Sequence, residues 1–224
     1  MPAPESFPDG LVLAACEGRR FGGSKLTEPL GGSTVLGSAL ASLAPLCGRI
    51  VVVCGAHAAV AAAARAALPA VILAENPDWE KGMFSSVLAG VRALPPGRAL
   101  FILPGDIPLV APATCRALLA HAAAHPERIC IPVYEGRRGH PVLLPAAAAA
   151  RLRAADPAGN LRDFLHAEGF AGVPVADPGI LRDVDTRGDL AGLSGVSEPG
   201  LGGEPGLTGK PGLGGEPGLV VNPE

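Results

Sequence analysis

Four short apolar runs, each followed by an alanine-rich helical pattern, fill the first half of this chain and leave few folds open to it. LVLAA precedes a helical pattern near Thr34–Leu43, RIVVVCG one from His57 to Leu68, AVILAE one from Met83 to Leu94, and RALFILPGD one from Ala111 to Ala124. Runs of Val, Ile and Leu without polar alternation suit strands covered on both faces, so the spacing predicts a mostly parallel sheet with helices on each side. After Arg128 the rhythm changes. ICIPVYEGRRGHPVLLP reads as two strands around a polar, glycine-containing turn, an antiparallel hairpin. Helical patterns near Ala146–Ala154 and Leu161–Ala167, a short strand around Val173 and the acidic turn RDVDTRGDL follow.

The 224 residues suit one sizeable α/β domain. Residues 1–9 are expected to be an extension, 10–193 the domain, and 194–224 a Gly/Pro-rich low-complexity tail. That tail carries glycine at every third position from Gly200 to Gly218, the spacing a collagen helix needs. It holds few apolar residues to bury, so a disordered or polyproline-like tail is favoured over a trimerising one. A net charge of −3 argues against nucleic acid as the main partner. The start lacks a secretory pattern, and the most apolar stretch is broken by Arg65 and Pro69, so a cytoplasmic protein with no membrane span is expected. Five cysteines without C-x-x-C spacing suggest neither a disulfide framework nor a zinc site. Cys54, Cys115 and Cys130 read as buried thiols, whereas Cys16 falls in a loop.

In open parallel sheets ligands gather beyond the carboxyl ends of the strands, which directs attention to two loops. LAACEGRRFGGSK supplies Gly18, Gly22 and Gly23, whose amides can approach an anion, with Arg19, Arg20 and Lys25 as full charges. It matches neither a P-loop nor G-x-G-x-x-G. LPGDIP holds Asp106 between Pro104 and Pro108, and a carboxylate there suits Mg²⁺, with Asp185 as second ligand and Asp183 beside it. Trp79 reads as packing, with stacking on a ring system as the alternative. His57, His121, His125 and His166 lie on helical patterns without ligand spacing and read as surface or packing residues.

These segments together resemble the MobA-like nucleotidyltransferases, and among them the molybdenum cofactor cytidylyltransferases. LAACEGRRFGGSK resembles the opening signature L-A-A-G-x-S-x-R-M-G-x-x-K, with Arg20, Gly22 and Lys25 matching and Phe21 in place of Met. NPDWEKGMFSSV resembles N-P-x-W-x-x-G-M-x-x-S, LPGDIP the metal-binding P-G-D-x-P, GHPVLL the G-H-P strand, and DVDTRGDL the D-[IV]-D-T-x-x-D-L ending. The resemblance spans about residues 11 to 193. It implies a single three-layer Rossmann-like nucleotidyltransferase domain that moves CMP from CTP to a phosphorylated acceptor such as molybdopterin, releasing pyrophosphate.

By that resemblance Lys25, Arg20 and Asp106 would be catalytic, and Asp106 and Asp185 would hold Mg²⁺. Ala14, Ala15, Gly18, Gly22, Gly23, Asn76, Gly82 and Ser86 would bind the nucleotide, with Ser85 assisting, and His140 would face the acceptor. A molybdoenzyme or its chaperone is the expected delivery partner. Ala14-Ala15 resembles the cytidylyl pattern, with guanylyl or other NTP transfer to a different phosphate acceptor as the alternative. The chain departs from the pattern at Cys16, where the family has glycine, and at Gly18, where it has a small hydroxyl residue. With Glu17 between them, these departures leave open a non-catalytic nucleotide- or cofactor-binding module.

Overall fold

The computed structural model describes residues 7–15, 18, 20–55 and 57–194. Ten strands and seven α-helices appear among them. The strands are β1 (Asp9–Ala14), β2 (Pro29–Leu30), β3 (Ser33–Thr34), β4 (Arg49–Cys54), β5 (Ile72–Glu75), β6 (Leu100–Pro104), β7 (Ile129–Tyr134), β8 (Arg137–Arg138), β9 (Val142–Leu144) and β10 (Phe170–Pro174). The helices are α1 (Val35–Leu43), α2 (Ala58–Ala67), α3 (Met83–Ala93), α4 (Pro112–Ala124), α5 (Ala146–Arg153), α6 (Leu161–Glu168) and α7 (Arg187–Ser194). Short 3₁₀ turns cover Lys25–Thr27, Trp79–Lys81 and Pro178–Leu181.

The main sheet runs β10-β7-β9-β6-β1-β4-β5, with β8 paired to β7, and β2–β3 form a separate ribbon. β1 is parallel to β4 and β6, β4 to β5, and β10 to β7, whereas β9 is antiparallel to both β6 and β7. This is the mostly parallel, mixed sheet that the apolar runs imply. Alternation along β1 divides the core into two layers. Val12 and Ala14 pack on the side of α1, α2 and α4, while Leu11, Leu13 and Ala15 pack on the side of α3, α5 and α6. At the free edge β5 is only partly covered, and Ile72 is exposed, so the two-sided burial expected of AVILAE stops there.

The segment read as a two-strand hairpin is a three-strand unit. Glu135 and Gly136 both have positive φ (47° and 75°), the geometry of a tight hairpin turn, and return the chain from β7 to β8. The next stretch passes through a cis His140–Pro141 bond and inserts β9 between β7 and β6. Similarly, the second half of RDVDTRGDL is not a turn but the start of α7.

The directions of the strands explain where the site forms. β1, β4, β5 and β6 point the same way, so the segments after them share one edge. Since β9 runs against β6, the residues that precede it, Gly139 and His140, arrive at that same edge. At the opposite edge Asp9, 2% exposed, accepts two hydrogen bonds from Arg49 (2.9 and 2.8 Å) and fixes the start of β1 to that of β4. Among the described residues no helix is long and apolar enough to cross a membrane. The expected tail and most of the expected N-terminal extension lie outside the described residues, as do Cys16, Glu17 and Arg19.

Candidate active site

Phe21 and Leu26 are buried in the layer beneath the first loop and pin its backbone on either side of Lys25. Gly18 opens the described part of that loop with φ +67°, and a Cβ there would lie 2.2 Å from the Gly23 carbonyl oxygen. Only glycine satisfies both conditions. The Gly18 carbonyl accepts from the Phe21 and Gly22 amides, and Gly22 and Gly23 complete the turn. Lys25 then begins its 3₁₀ turn with a side chain only 6% exposed.

The Lys25 ammonium sits between two carboxylates, 2.7 Å from Asp106 Oδ2 and 2.8 Å from Asp185 Oδ1. Arg20 Nη1, far more exposed, reaches Asp185 Oδ2 at 3.1 Å. Three segments remote in sequence therefore converge on one cluster. The hydrogen bond from Lys25, with the charges of Lys25 and Arg20, holds the Asp185 carboxyl below the usual carboxylate range, against burial and the nearby Asp189 charge.

Local hydrogen bonds aim both aspartates. The Gly105 amide donates to the Leu13 carbonyl (2.8 Å), which ties the Asp106 loop to the end of β1. Thr186 Oγ1 accepts from the Asp189 amide (3.2 Å) while Asp189 Oδ2 accepts from the Thr186 amide (2.7 Å), a reciprocal capping box at the start of α7. Asp189 Oδ2 also accepts from the Asp185 amide at 3.1 Å. Asp177, 8% exposed, takes hydrogen bonds from the Ala111 amide, Thr114 Oγ1 and the Gly179 amide, fastening the segment after β10 to the start of α4.

Asp106 also borders a cavity of about 390 Å³, whose wall includes Ala15, Gly18, Trp79, Gly82, Met83 and Ser86. Two further cavities, of about 330 and 320 Å³, lie beyond it and share Met83, Arg138, Gly139 and His140. The nearer also touches Asp106 and Asp183. Asp106 borders both the first cavity and the second, and through it the cluster with Lys25 and Asp185 adjoins them.

The expected nucleotide residues divide by position. Ala15, Gly18, Gly82 and Ser86 line the first cavity; Ala14 faces the opposite core layer. Asn76 is buried and builds the turn behind the wall, donating to Ser85 Oγ (2.9 Å) and Ser86 Oγ (3.0 Å) and accepting from the Asp78 amide (3.0 Å). Ser85 Oγ donates within the same turn, to the carbonyl oxygens of Asp78 and Gly82. His140 borders the second and third cavities, and its Nδ1 is buried without a hydrogen-bond partner. Burial lowers its pKa, against the pull of the Asp106 charge and the Ile102 carbonyl.

Trp79, Met83, Arg138 and His166 line cavities without having been singled out for a site. Met83 is 52% exposed, large and apolar, and borders all three cavities. Its place in G-M-x-x-S was the available signal. Arg138 lies over the Phe170 ring at 5.0 Å, and His166 packs against the same ring. His121 and His125 contact each other on α4 and its cap. Cys54, Cys115 and Cys130 are buried, as their apolar surroundings suggested, and burial pushes the Cys115 thiol up to about 12.

Among the described residues no group of three or more His, Cys, Asp or Glu side chains could hold a metal ion. The site offers instead two carboxylates aimed at one small cation. That donor set fits Mg²⁺, which is commonly held by one or two carboxylates with phosphate oxygens and water completing its shell.

Comparison with known proteins agrees with this fold. The profile of the MobA-like NTP transferase domain family matches residues 10–172. The chain is 36% identical to a molybdenum cofactor guanylyltransferase of Pseudomonas syringae pv. syringae, covering 71% of this chain and 78% of the relative. It is 35% identical to a nicotine blue oxidoreductase of Paenarthrobacter nicotinovorans, covering 61% and 70%. A molybdenum cofactor cytidylyltransferase of Escherichia coli is 24% identical, covering 81% and 93%. Among solved structures, Rv0371c of Mycobacterium tuberculosis superposes with a TM-score of 0.69 at 26% identity, covering 86% of this chain and 98% of that one.

Proposed function

Since the chain belongs to the MobA-like NTP transferase domain family and is a nucleotidyltransferase, we propose that it transfers CMP from CTP to the phosphate of a molybdopterin-type acceptor. The observation that carries this reading is the Lys25 ammonium held between Asp106 and Asp185, beside a glycine loop and a cavity of nucleotide size. In the reaction an acceptor phosphate oxygen attacks the α-phosphorus of the NTP. A new P–O bond forms, the bond from the α-phosphorus to its bridging oxygen breaks, and pyrophosphate leaves.

Each group has a part in this scheme. The Gly18 turn would cradle the leaving phosphates, and Lys25 and Arg20 would offset charge on the phosphoryl oxygens, which is most of what such a transition state asks of a protein. Asp106 and Asp185 would hold Mg²⁺, which when bound would neutralise charge on the phosphoryl and pyrophosphate oxygens. Ala15, Gly82 and Ser86 would bound the nucleoside, and Trp79 offers it a flat apolar wall. The acceptor would enter past His140, whose buried Nδ1 offers an unused hydrogen-bonding position.

GTP is the second reading for the nucleotide, favoured by the higher identity to the guanylyltransferase. The test incubates the protein with Mg²⁺, molybdopterin and each of the four NTPs in turn, reading pyrophosphate and the mass of the product. Pyrophosphate with CTP and a CMP-bearing product is expected. Release with GTP alone would reassign the base, and absence of release with all four NTPs would count against transfer.

A further inference from the structure

We infer that Lys25 is a resident cation of the metal site, which makes binding of a divalent cation depend on arrival of the nucleotide. The inference rests on the nucleotidyl-transfer reading of this site and concerns how the site is filled.

The ammonium stands 2.7 Å from one carboxylate and 2.8 Å from the other, the ground that a bridging metal ion would need. A metal entering alone must displace Lys25 or share the two carboxylates with it, and two cations at such range repel. The positive charge already present opposes entry as well, since Lys25 contacts both carboxylates and Arg20 contacts Asp185. Two carboxylates alone are also a sparse shell for a hard cation, and among the described residues no third acidic, histidine or cysteine ligand completes a group.

A triphosphate reverses each of these terms. It brings negative charge for both cations, oxygens to complete the metal shell, and a new anionic partner for the displaced ammonium. The surrounding structure permits that exchange with little backbone motion. Phe21 and Leu26 anchor the loop in the core, so the exchange falls to the unbranched stem of Lys25 and not to the backbone. Both aspartates keep their aim, through the Gly105–Leu13 bond on one side and the Thr186–Asp189 box on the other. Lys25 thus maintains the carboxylate pair in a spacing suited to one cation and yields its place when the substrate supplies phosphate.

The experiment titrates Mn²⁺ into the full chain, read by electron paramagnetic resonance, with no nucleotide and then with CTP or GTP but no acceptor. In the wild type nucleotide is expected to tighten Mn²⁺ binding by about tenfold or more. Lys25→Met is expected to bind Mn²⁺ alone about tenfold more tightly than the wild type and to lose most of the tightening by nucleotide. Arg20→Gln, which removes an exposed charge from Asp185 alone, should change Mn²⁺ affinity by less than about threefold. Unchanged or weaker Mn²⁺ binding by Lys25→Met would overturn the inference, as would an equal gain in both variants.

Because Lys25→Met takes the ammonium from Asp106 and leaves Asp185 with Arg20, a second measurement keeps the wild-type chain. Its Lys25 side-chain NMR signal, with ¹³C at Cε, should stay in place with Mg²⁺ alone and move when Mg²⁺ and nucleotide are added together. An equal shift with Mg²⁺ alone would overturn the inference. Failure of the wild type to bind either nucleotide would sink the transfer reading instead, while the metal-only comparison would still decide the role of Lys25.

Discussion

The Val184 amide donates a 2.9 Å hydrogen bond to the Asp106 carbonyl. That bond joins the segment before α7 to the loop after β6, and it brings Asp185 and Asp106 to opposite sides of one lysine. The two acidic residues are therefore set by the backbone as much as by the charge between them.

Asp106→Asn keeps the shape of the side chain and removes its charge. Turnover is expected to fall by about 10²–10³-fold, the scale on which single electrostatic groups act at phosphoryl and acyl centres. NTP binding without metal should change far less. Pyrophosphate release and calorimetric NTP titration measure the two effects separately.

Thr186→Ala removes one half of the capping box that aims Asp185. A stability loss of about 1 kcal/mol is expected from the cap alone. Activity should fall mainly through kcat, with the KM for NTP nearly unchanged, and Thr186→Ser should restore both. Loss of stability without any change in kcat would show that the box serves α7 only.

Gly18→Ala meets the Gly23 carbonyl and requires positive φ. The strain is about 1–2 kcal/mol before the clash is relieved. The expected result is a rearranged loop with NTP affinity reduced by about tenfold or more, while the melting transition stays cooperative because the turn, among its described residues, joins the core only through Phe21.

His140 provides the pH dependence. Its folded pKa is lowered by burial, so the unfolded chain binds the proton more readily. Its contribution to stability is fully present above the unfolded value, about 6.5. It is lost as pH falls through that value toward the folded one. Urea unfolding at successive pH values from 7.5 to about 5 should show this decline, and His140→Asn should flatten it.

Much of this architecture was legible because it rests on local chemistry. The apolar runs of β1, β4 and β6 and the helical patterns beside them specify a parallel, helix-covered sheet, and Pro104, Gly105 and Pro108 mark a stiff loop around Asp106. The juxtaposition of Lys25 and Asp106 follows from placing two loops at one sheet edge, and Asp185 joins them as the expected second ligand. Which side chain faces which layer was less accessible. Ala14 and Ala15 are chemically identical neighbours, and only the alternation along the chain sends one into the layer of α1, α2 and α4 and the other to the layer that borders the cavity.

Asn76 was expected against the nucleotide, yet its amide is spent on Ser85, Ser86 and Asp78. A residue type cannot reveal whether its hydrogen bonds face a ligand or its own turn. The Thr186–Asp189 box shows in the sequence as T-x-x-D, but an acidic stretch so close to Asp185 reads equally as a turn. Arg138 differs in kind: its place in the cavities depends on how β8, β9 and α3 meet, a tertiary relationship with no short-range signal, whereas Met83 has its place in G-M-x-x-S.

The most direct test is a crystal structure of the full chain with Mn²⁺ and a non-hydrolysable CTP analogue. The account expects an anomalous manganese peak bound by Asp106 and Asp185, with the Lys25 ammonium moved onto a phosphate oxygen. Manganese bound elsewhere, or Lys25 still seated between the two carboxylates with the triphosphate in place, would contradict it.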